Sequence, residues 1–336
     1  RVPFLPNTIG LNWAGPLILS MGTEEEKQKY IKGILSAEDI WCQGFSEPDH
    51  GSDLGSAQCR AVKDGDEWVI NGEKWFTSAG RVADLLFVMC TNGIFIVPRE
   101  TPGVEIMPEP RNHNHIKYTD VRVPADHLLG PEDSAHVLAQ RRLGGGRIHH
   151  AMRTIAQCKL AFDMMCERAL SRESHGAIIS EHQMVQEKIA ESYAKLRMLR
   201  LLVLETAWKI DQTSAQDCRT DIATVKFTMS KVLREISFDS LQIHGSLGTT
   251  DLTPLQDMYS AAPQMGLADG ADEVHKTTVA RRVLRDYEPH EGYFPREFLP
   301  YKEQEAWAKM EPIFELNPEL AESAQRWKQY REKRRR

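Results

Sequence analysis

Val185-Gln186-Glu187-Lys188-Ile189-Ala190-Glu191-Ser192-Tyr193-Ala194-Lys195-Leu196-Arg197-Met198-Leu199 aligns Val185, Ile189, Leu196 and Leu199 on one face, and the spacing continues through Val203, Ala207 and Ile210. Steps of three, four and seven are those of an amphipathic α-helix. The same steps recur upstream at Ile155, Phe162, Met165 and Ala169, and downstream at Ile222, Val225, Met229, Val232 and Ile236. A fourth helix is predicted from Ala271 to Arg285. Long amphipathic helices with short links favour an up-and-down bundle, here over residues 131–287.

Outward from the bundle the texture changes. Over residues 45–130 Gly, Pro and Asp are frequent and apolar runs are short. Ala61-Val62-Lys63, Asp64-Gly65 and Trp68-Val69-Ile70 read as a hairpin with a primed turn. Lys74 to Thr77, Leu85 to Cys90, Ile94 to Val97 and Val104 to Met107 read as further strands, which suggests a small antiparallel barrel or sandwich. Residues 1–44 read as helical. Thr23 is the expected cap of a helix that opens on Glu24-Glu25-Glu26 and carries Tyr30, Ile31, Ile34 and Leu35. Residues 288–336 hold Pro289, Pro295 and Pro300, then one or two polar helices. The fold class is α+β: N-terminal helical domain, central β domain, four-helix bundle, and a C-terminal helical extension.

With 41% hydrophobic residues in 336, the chain can bury sizeable cores, and a net charge of −6 argues against nucleic acid as the main partner. The C-terminal end departs from that balance: Arg326, Lys328, Arg331, Lys333, Arg334, Arg335 and Arg336 stand against Glu332 alone. It reads as a solvated helix end or as a docking patch for an acidic partner. Six cysteines without Cys-x-x-Cys spacing read as mostly buried free thiols in a reducing compartment. No metal-site spacing appears; the adjacent His149 and His150 cannot face one ligand from a helix. No run approaches the ~20 apolar residues of a membrane span. No leader is visible, and a chain opening on Arg1 points to a missing or removed N-terminus.

Several stretches have the chemistry of a site. Ala268-Asp269-Gly270-Ala271 puts a carboxylate and a glycine before a helix, which suits a general base or an ordinary cap. Ser46-Glu47-Pro48-Asp49-His50-Gly51-Ser52-Asp53 is a tight polar loop able to cradle a phosphate or ring carbonyl, or a plain turn. Trp75 and Thr77 would share a strand face, beside a heteroaromatic ring or in the core. Leu143-Gly144-Gly145-Gly146-Arg147 would open a helix, either as a phosphate or pantetheine cradle or as a flexible link. Ser171-Arg172-Glu173-Ser174-His175-Gly176 links two helices, and Gln242 to Gly248 ends another, with Gly245 suited to a C-cap.

In this order, these stretches resemble the acyl-CoA dehydrogenase family. Ser46 to Asp53 is similar to its Thr-Glu-Pro-x-x-Gly-Ser-Asp loop. Ile70 to Thr77 is similar to its Ile-Asn-Gly-x-Lys-x-x-x-Thr segment. Arg172, Gly176 and Gln183 fit its Arg-x-x-x-Gly…Gln pattern, and Gln242 to Gly248 its Gln-x-x-Gly-x-x-Gly segment. Ala268-Asp269-Gly270-Ala271 stands where most members carry Tyr-Glu-Gly-Thr. With Gly146-Arg147-Ile148-His149-His150, it is nearest the Asp-base subgroup that includes members ten and eleven.

The resemblance implies the same three-part fold and an FAD-dependent oxidoreductase of fatty acid β-oxidation. It would remove hydrogen across the α,β bond of an acyl-CoA, with Asp269 as general base and flavin N5 as hydride acceptor. It implies flavin contacts from Phe45, Ser46, Gly51, Ser52, Trp75 and Thr77. Arg172 and Ser174, with Gln242 and Gly245, would bind the adenine end of an FAD held mostly by a neighbouring subunit, and Gln183, Ala271 and Glu273 are assigned to the cofactor too. Ser52, Arg147, Ala268 and Gly270 are the implied substrate residues, and the lost aromatic at Ala268 points to a branched or bulky acyl group. Apolar walls around Asp269 would raise its basicity. A homodimer or homotetramer is implied, with an electron-transfer flavoprotein as acceptor. The compartment would be the cytoplasm in a bacterium, or a mitochondrion or peroxisome in a eukaryote. The alternatives are an acyl-CoA oxidase, a nitroalkane-oxidase-like enzyme using oxygen, or a non-catalytic binder. The short N-terminal domain, the short Thr91-Asn92-Gly93-Ile94 link and a trimmed His113 to Tyr118 region depart from the family pattern.

Overall fold

The computed structural model describes residues 7–107 and 113–335. Residues 1–281 and 282–336 form two compact units. Among the described residues no helix is long and apolar enough to cross a membrane.

The first unit begins with a π-helical turn (Gly10–Ala14), α1 (Gly15–Met21) and α2 (Glu24–Ser36). Thr23 and Glu26 form a reciprocal capping box: Glu26 N donates to Thr23 Oγ1 and Thr23 N to Glu26 Oε2. Tyr30 and Ile34 are buried, whereas Leu35, expected on the same face, is exposed. The helical reading of residues 1–44 fails at its end, where residues 41–44 are a strand. Ala37 turns left-handed (φ 57), and Asn7 then pins the chain, donating to Ile34 O and Asp39 O and accepting from Trp41 N.

The β region comprises β1 (Trp41–Gly44), β2 (Arg60–Asp64), β3 (Glu67–Ser78), β4 (Leu85–Cys90), β5 (Gly93–Pro98), β6 (Val104–Ile106), β7 (His113–Pro124) and β8 (Leu128–Leu129). It is a sandwich of two sheets, ordered β1-β4-β5-β8 and β2-β3-β7-β6. One pair, β1 with β4, is parallel, so the expected all-antiparallel arrangement does not hold. Leu86, Val88, Phe95 and Val97 face Trp68, Ile70, Ile116 and Val121 across the sandwich. The alternate residues Phe87, Met89, Ile94 and Ile96 pack on Leu17, Ile18, Tyr30 and Ile34. Burial on both faces is why Leu85 to Cys90 is apolar without alternation. The hairpin turn is primed but shifted by one residue: Asp64 pairs with Glu67, and Gly65 takes the positive φ of 63. Residues 113–124 form one continuous strand.

One buried ion pair joins the 45–53 loop to β3. Lys74 Nζ lies 2.8 Å from Glu47 Oε1 and 2.9 Å from Phe45 O, with both charged side chains out of water. Glu47 also accepts from Gln58 N and Cys59 N. Burial pushes the Glu47 carboxyl up, but the Lys74 ammonium and these two amides outweigh it and hold it below its ordinary value. Trp75 N donates to Ser46 O, so the loop and strand are stitched at both residues of contact.

The bundle is α3 (Ala135–Ser171), α4 (Gln183–Gln212), α5 (Arg219–His244) and α6 (Leu255–Leu267), with α7 (Asp272–Val283) behind it. Its core holds Ile155 and Cys158, Leu199 and Val203, Val225 and Met229, Leu255 and Met258. The fourth core helix is therefore α6 and not the predicted helix at 271–285: α7 buries His275 alone among its residues. Pro263 inside α6 reads as a break in sequence, which hides that helix. Between α3 and α4 a tiny hairpin, β9 (Glu173–Ser174) with β10 (Ala177–Ile178), turns at His175 and Gly176, both left-handed.

The second unit contains α8 (Leu299–Leu316) and α9 (Pro318–Arg335). Within it Arg331 pairs with Glu303 at 3.1 Å, and Lys328 Nζ sits 5.1 Å from the Trp307 ring centre. Two cations of the basic run are thus turned onto α8; Arg336 lies outside the described residues.

Removing one partner of a buried pair strands the other charge, which costs about 3–5 kcal/mol. Lys74→Met is therefore expected to lower unfolding stability in urea by that amount. Adding Glu47→Gln to Lys74→Met should return part of the loss.

Candidate active site

The corner between α6 and α7 is built on two positive φ angles, 59 at Asp269 and 106 at Gly270. Asp is among the few non-glycine residues that visit this region readily. Side chains from three helices hold the corner. Arg147 Nε on α3 donates to Asp269 O at 3.0 Å, and His275 Nε2 on α7 lies 3.4 Å from the same oxygen. Lys226 on α5 donates to Met265 O at 2.6 Å and sits 3.6 Å from Asp272, which accepts from Ser230. A Cβ at Gly270 would come within 2.7 Å of His275 Nε2, so glycine is required there on two counts.

The Asp269 carboxylate is 8% exposed, and its Oδ2 lies 3.2 Å from His150 Nε2. A Cβ at Gly146 would stand 2.6 Å from Oδ2, so the bare glycine leaves room for the acid. Trp13, from the N-terminal π-helical turn, stacks on the His150 ring. Polar and cationic groups surround the acid, where the sequence reading expects apolar walls. Burial, the Arg153 guanidinium and His150 push the His149 imidazole down. Burial also lowers Lys226 and Arg153, against the pull of Asp269 on both.

The sequence reading assigns no role to Trp13, His150, Arg153, Lys226 or His275. The signal available was Arg147-x-x-His150-x-x-Arg153, three residues sharing one face of α3. The glycines before Arg147 do not open a helix; they lie inside α3, and the side-chain positions of Leu143, Gly144 and Gly145 are outside the described residues.

A second group lies at the end of β3. Trp75 and Thr77 do not share a face: the pairing of β3 with β7 slips between Lys74 and Thr77, and Phe76 takes a left-handed φ of 59. Trp75 is half-buried between the Phe76 and His115 rings, while Thr77 is fully buried. Thr77 Oγ1 has no hydrogen-bond partner among the described residues. The Phe45 ring is spent on core packing against Phe87. Gly51 and Ser52 are exposed. His113 links this group to the corner: its ring nitrogens lie 2.8 Å from Ser78 Oγ and 3.0 Å from Gln264 Nε2 on α6.

A third group lines an open pocket of about 290 Å³: Arg172, Ser174, His175, His182, Lys188, Gln242 and Gly245. Gln183 is exposed and is not among its lining residues. Along α3, at about 1.5 Å per residue, Arg172 stands on the order of 35–40 Å from Arg147. Ala271 is buried at the corner, whereas Glu273 is exposed and 3.7 Å from Lys276. The predicted residues thus form three groups; Arg147, Ala268, Asp269 and Gly270 come together.

Two family models match the chain, "Acyl-CoA dehydrogenase, middle domain" over residues 42–119 and "Acyl-CoA dehydrogenase, C-terminal domain" over residues 137–284. A probable acyl-CoA dehydrogenase of Mycobacterium tuberculosis is 33% identical over 301 residues, covering 82% of this chain and 74% of that protein. Acyl-CoA dehydrogenase family member 11 of Gallus gallus is 33% identical over 79% of this chain, which spans only 37% of that longer protein. The crystal structure of an acyl-CoA dehydrogenase from Geobacillus kaustophilus superposes with a TM-score of 0.79 at 26% identity, covering 82% of this chain and 77% of that one.

Burial pushes the His275 imidazole down to about 4, and Arg147 and Lys226 add to the effect. The unfolded chain, with an ordinary value of about 6.5, then binds more protons between pH 6.5 and 4. Stability should be complete above about pH 6.5 and fall as the pH drops toward 4, by an amount on the order of 3 kcal/mol. Denaturant midpoints across that range should show the slope, and His275→Gln should flatten it.

Proposed function

The chain belongs to the acyl-CoA dehydrogenase family, and on that footing we propose that it removes hydrogen across the α,β bond of an acyl-CoA thioester, with FAD as cofactor and Asp269 as general base. The observation that carries this reading is the Asp269 carboxylate itself. It is nearly buried, seated against a glycine and held on a corner locked from three helices. Such a group is positioned to take a proton from a carbon that enters beside it.

The residues present suit a flavin. Thr77 Oγ1 is a buried hydroxyl lacking a partner among the described residues, which costs about 1–3 kcal/mol unless a ligand satisfies it. Trp75, two residues before it, adds a half-buried indole stacked between the Phe76 and His115 rings. Arg172 and Lys188, with the bare Gly245, suit a phosphate and adenine end. In this reading Ser46, Trp75 and Thr77 hold the ring end, and Arg172, Ser174, Gln242 and Gly245 the other. Bound there, the flavin supplies the two-electron oxidation of the substrate.

The Arg172 group lies a helix length from Asp269. We therefore read the two half-sites of one chain as serving two cofactors, in a homodimer or homotetramer. Ser52, Arg147, Ala268 and Gly270 would border the thioester. Arg153 and Lys226 both feel the charge of Asp269, and Arg147 holds its backbone carbonyl. Asp269 relies on stabilisation of the enolate oxygen to make the α-proton accessible. An electron-transfer flavoprotein is the acceptor this reading implies.

Asp269→Asn keeps a residue that accepts a left-handed φ and removes the base. The variant should still bind FAD, and its flavin should be bleached by acyl-CoA under anaerobic conditions roughly 10²–10⁴-fold more slowly than in the wild type. Wild-type bleaching rates in Asp269→Asn would overturn the assignment. Gly146→Ala places a methyl against Oδ2 while replacing a mid-helix glycine, a change worth up to about 1 kcal/mol of helix stability. Because the methyl must displace the carboxylate, the variant should still bind FAD yet reduce it markedly more slowly.

A further inference from the structure

We infer that His150 is a positioning residue for Asp269, holding the carboxylate through a proton kept on Nε2 by Arg153. The inference rests on the reading of Asp269 as the base. Its geometry stands on three contacts. Arg153 Nη2 lies 2.6 Å from His150 Nδ1. A guanidinium has donors and no acceptor, so Nδ1 accepts, and the ring proton is on Nε2. Nε2 faces Asp269 Oδ2 at 3.2 Å. The ring is 5% exposed and stacked on Trp13 at 5.9 Å between centroids.

The arrangement gives each nitrogen one fixed task. Moving the proton to Nδ1 would set an N–H against an N–H of Arg153. His150 therefore donates to the carboxylate and does not receive from it. The contact of Nε2–H with Oδ2, 3.2 Å apart, orients Asp269. The charged and titratable groups facing this pair are Arg153, His149 and Arg147 on α3, His275 on α7 and Lys226 on α5.

The test is the ¹⁵N spectrum of histidine-labelled full chain loaded with FAD, with His150 assigned from His150→Gln. The expected spectrum at neutral pH is a singly protonated ring with its proton on Nε2. That resonance should move in Asp269→Asn, and the tautomer should become mixed in Arg153→Met. A ring protonated on Nδ1, or on both nitrogens, overturns the inference. The second readout is the pH profile of anaerobic flavin reduction. His150→Phe removes the N–H that faces the carboxylate, and the acid limb should move up by about one to two pH units. His150→Gln, which restores a donor, should return most of the shift. A wild-type acid limb in His150→Phe overturns the inference. If no acyl-CoA reduces the wild-type flavin, the acyl-CoA reading fails separately, and the tautomer decides the role of His150.

Discussion

The link between α6 and α7 is four residues long, and two of them, Asp269 and Gly270, take positive φ. That constraint organises the site. Asp is among the non-glycine residues that visit the left-handed region most readily, and here it brings a carboxylate to the turn. The turn exposes a backbone carbonyl that Arg147 and His275 both reach, so the backbone is fixed before any side-chain chemistry begins. Lys226 ties the end of α6 to the start of α7 from a third side. Gly146 clears the space into which the carboxylate points. The contacts come from α3, α5 and α7, so the bundle has to be assembled before the corner exists.

A second buried cation does similar work in the sandwich. Lys74 joins Glu47 and Phe45 O, and the polar loop can then lie against β3 without leaving either charge unpaired. Such pairs contribute little net stability compared with an apolar filling, but they specify which strand the loop meets. The slip after Lys74 then turns Thr77 inward and leaves Trp75 half-exposed. The polar chain Ser78–His113–Gln264 carries the end of β3 to α6, close in sequence to Asp269.

Much of this was legible in the residues. The helical period at Val185 to Val203 marks the bundle face, and Leu196, Leu199 and Val203 are indeed in its core. Thr23 and Glu26 announce their helix start by local chemistry alone. What sequence hides are features set by distant partners. Trp41 to Gly44 becomes a strand because β4 pairs with it, and α6 tolerates Pro263 because its other face is buried. The slip at Phe76 breaks the period of two, and nothing in Trp75-Phe76-Thr77 signals it. His150 was visible only as one of two adjacent histidines; that it meets Asp269, more than a hundred residues away, follows from packing.

The central claim is that the chain starts oxidation by taking a proton from the carbon alpha to a thioester. The most direct measurement compares anaerobic flavin reduction by an acyl-CoA deuterated at that carbon with reduction by the unlabelled thioester. The account predicts a severalfold slower rate with deuterium, because the bond to be broken by Asp269 is the labelled one. Equal rates for the two, or a flavin that no acyl-CoA reduces, would contradict it.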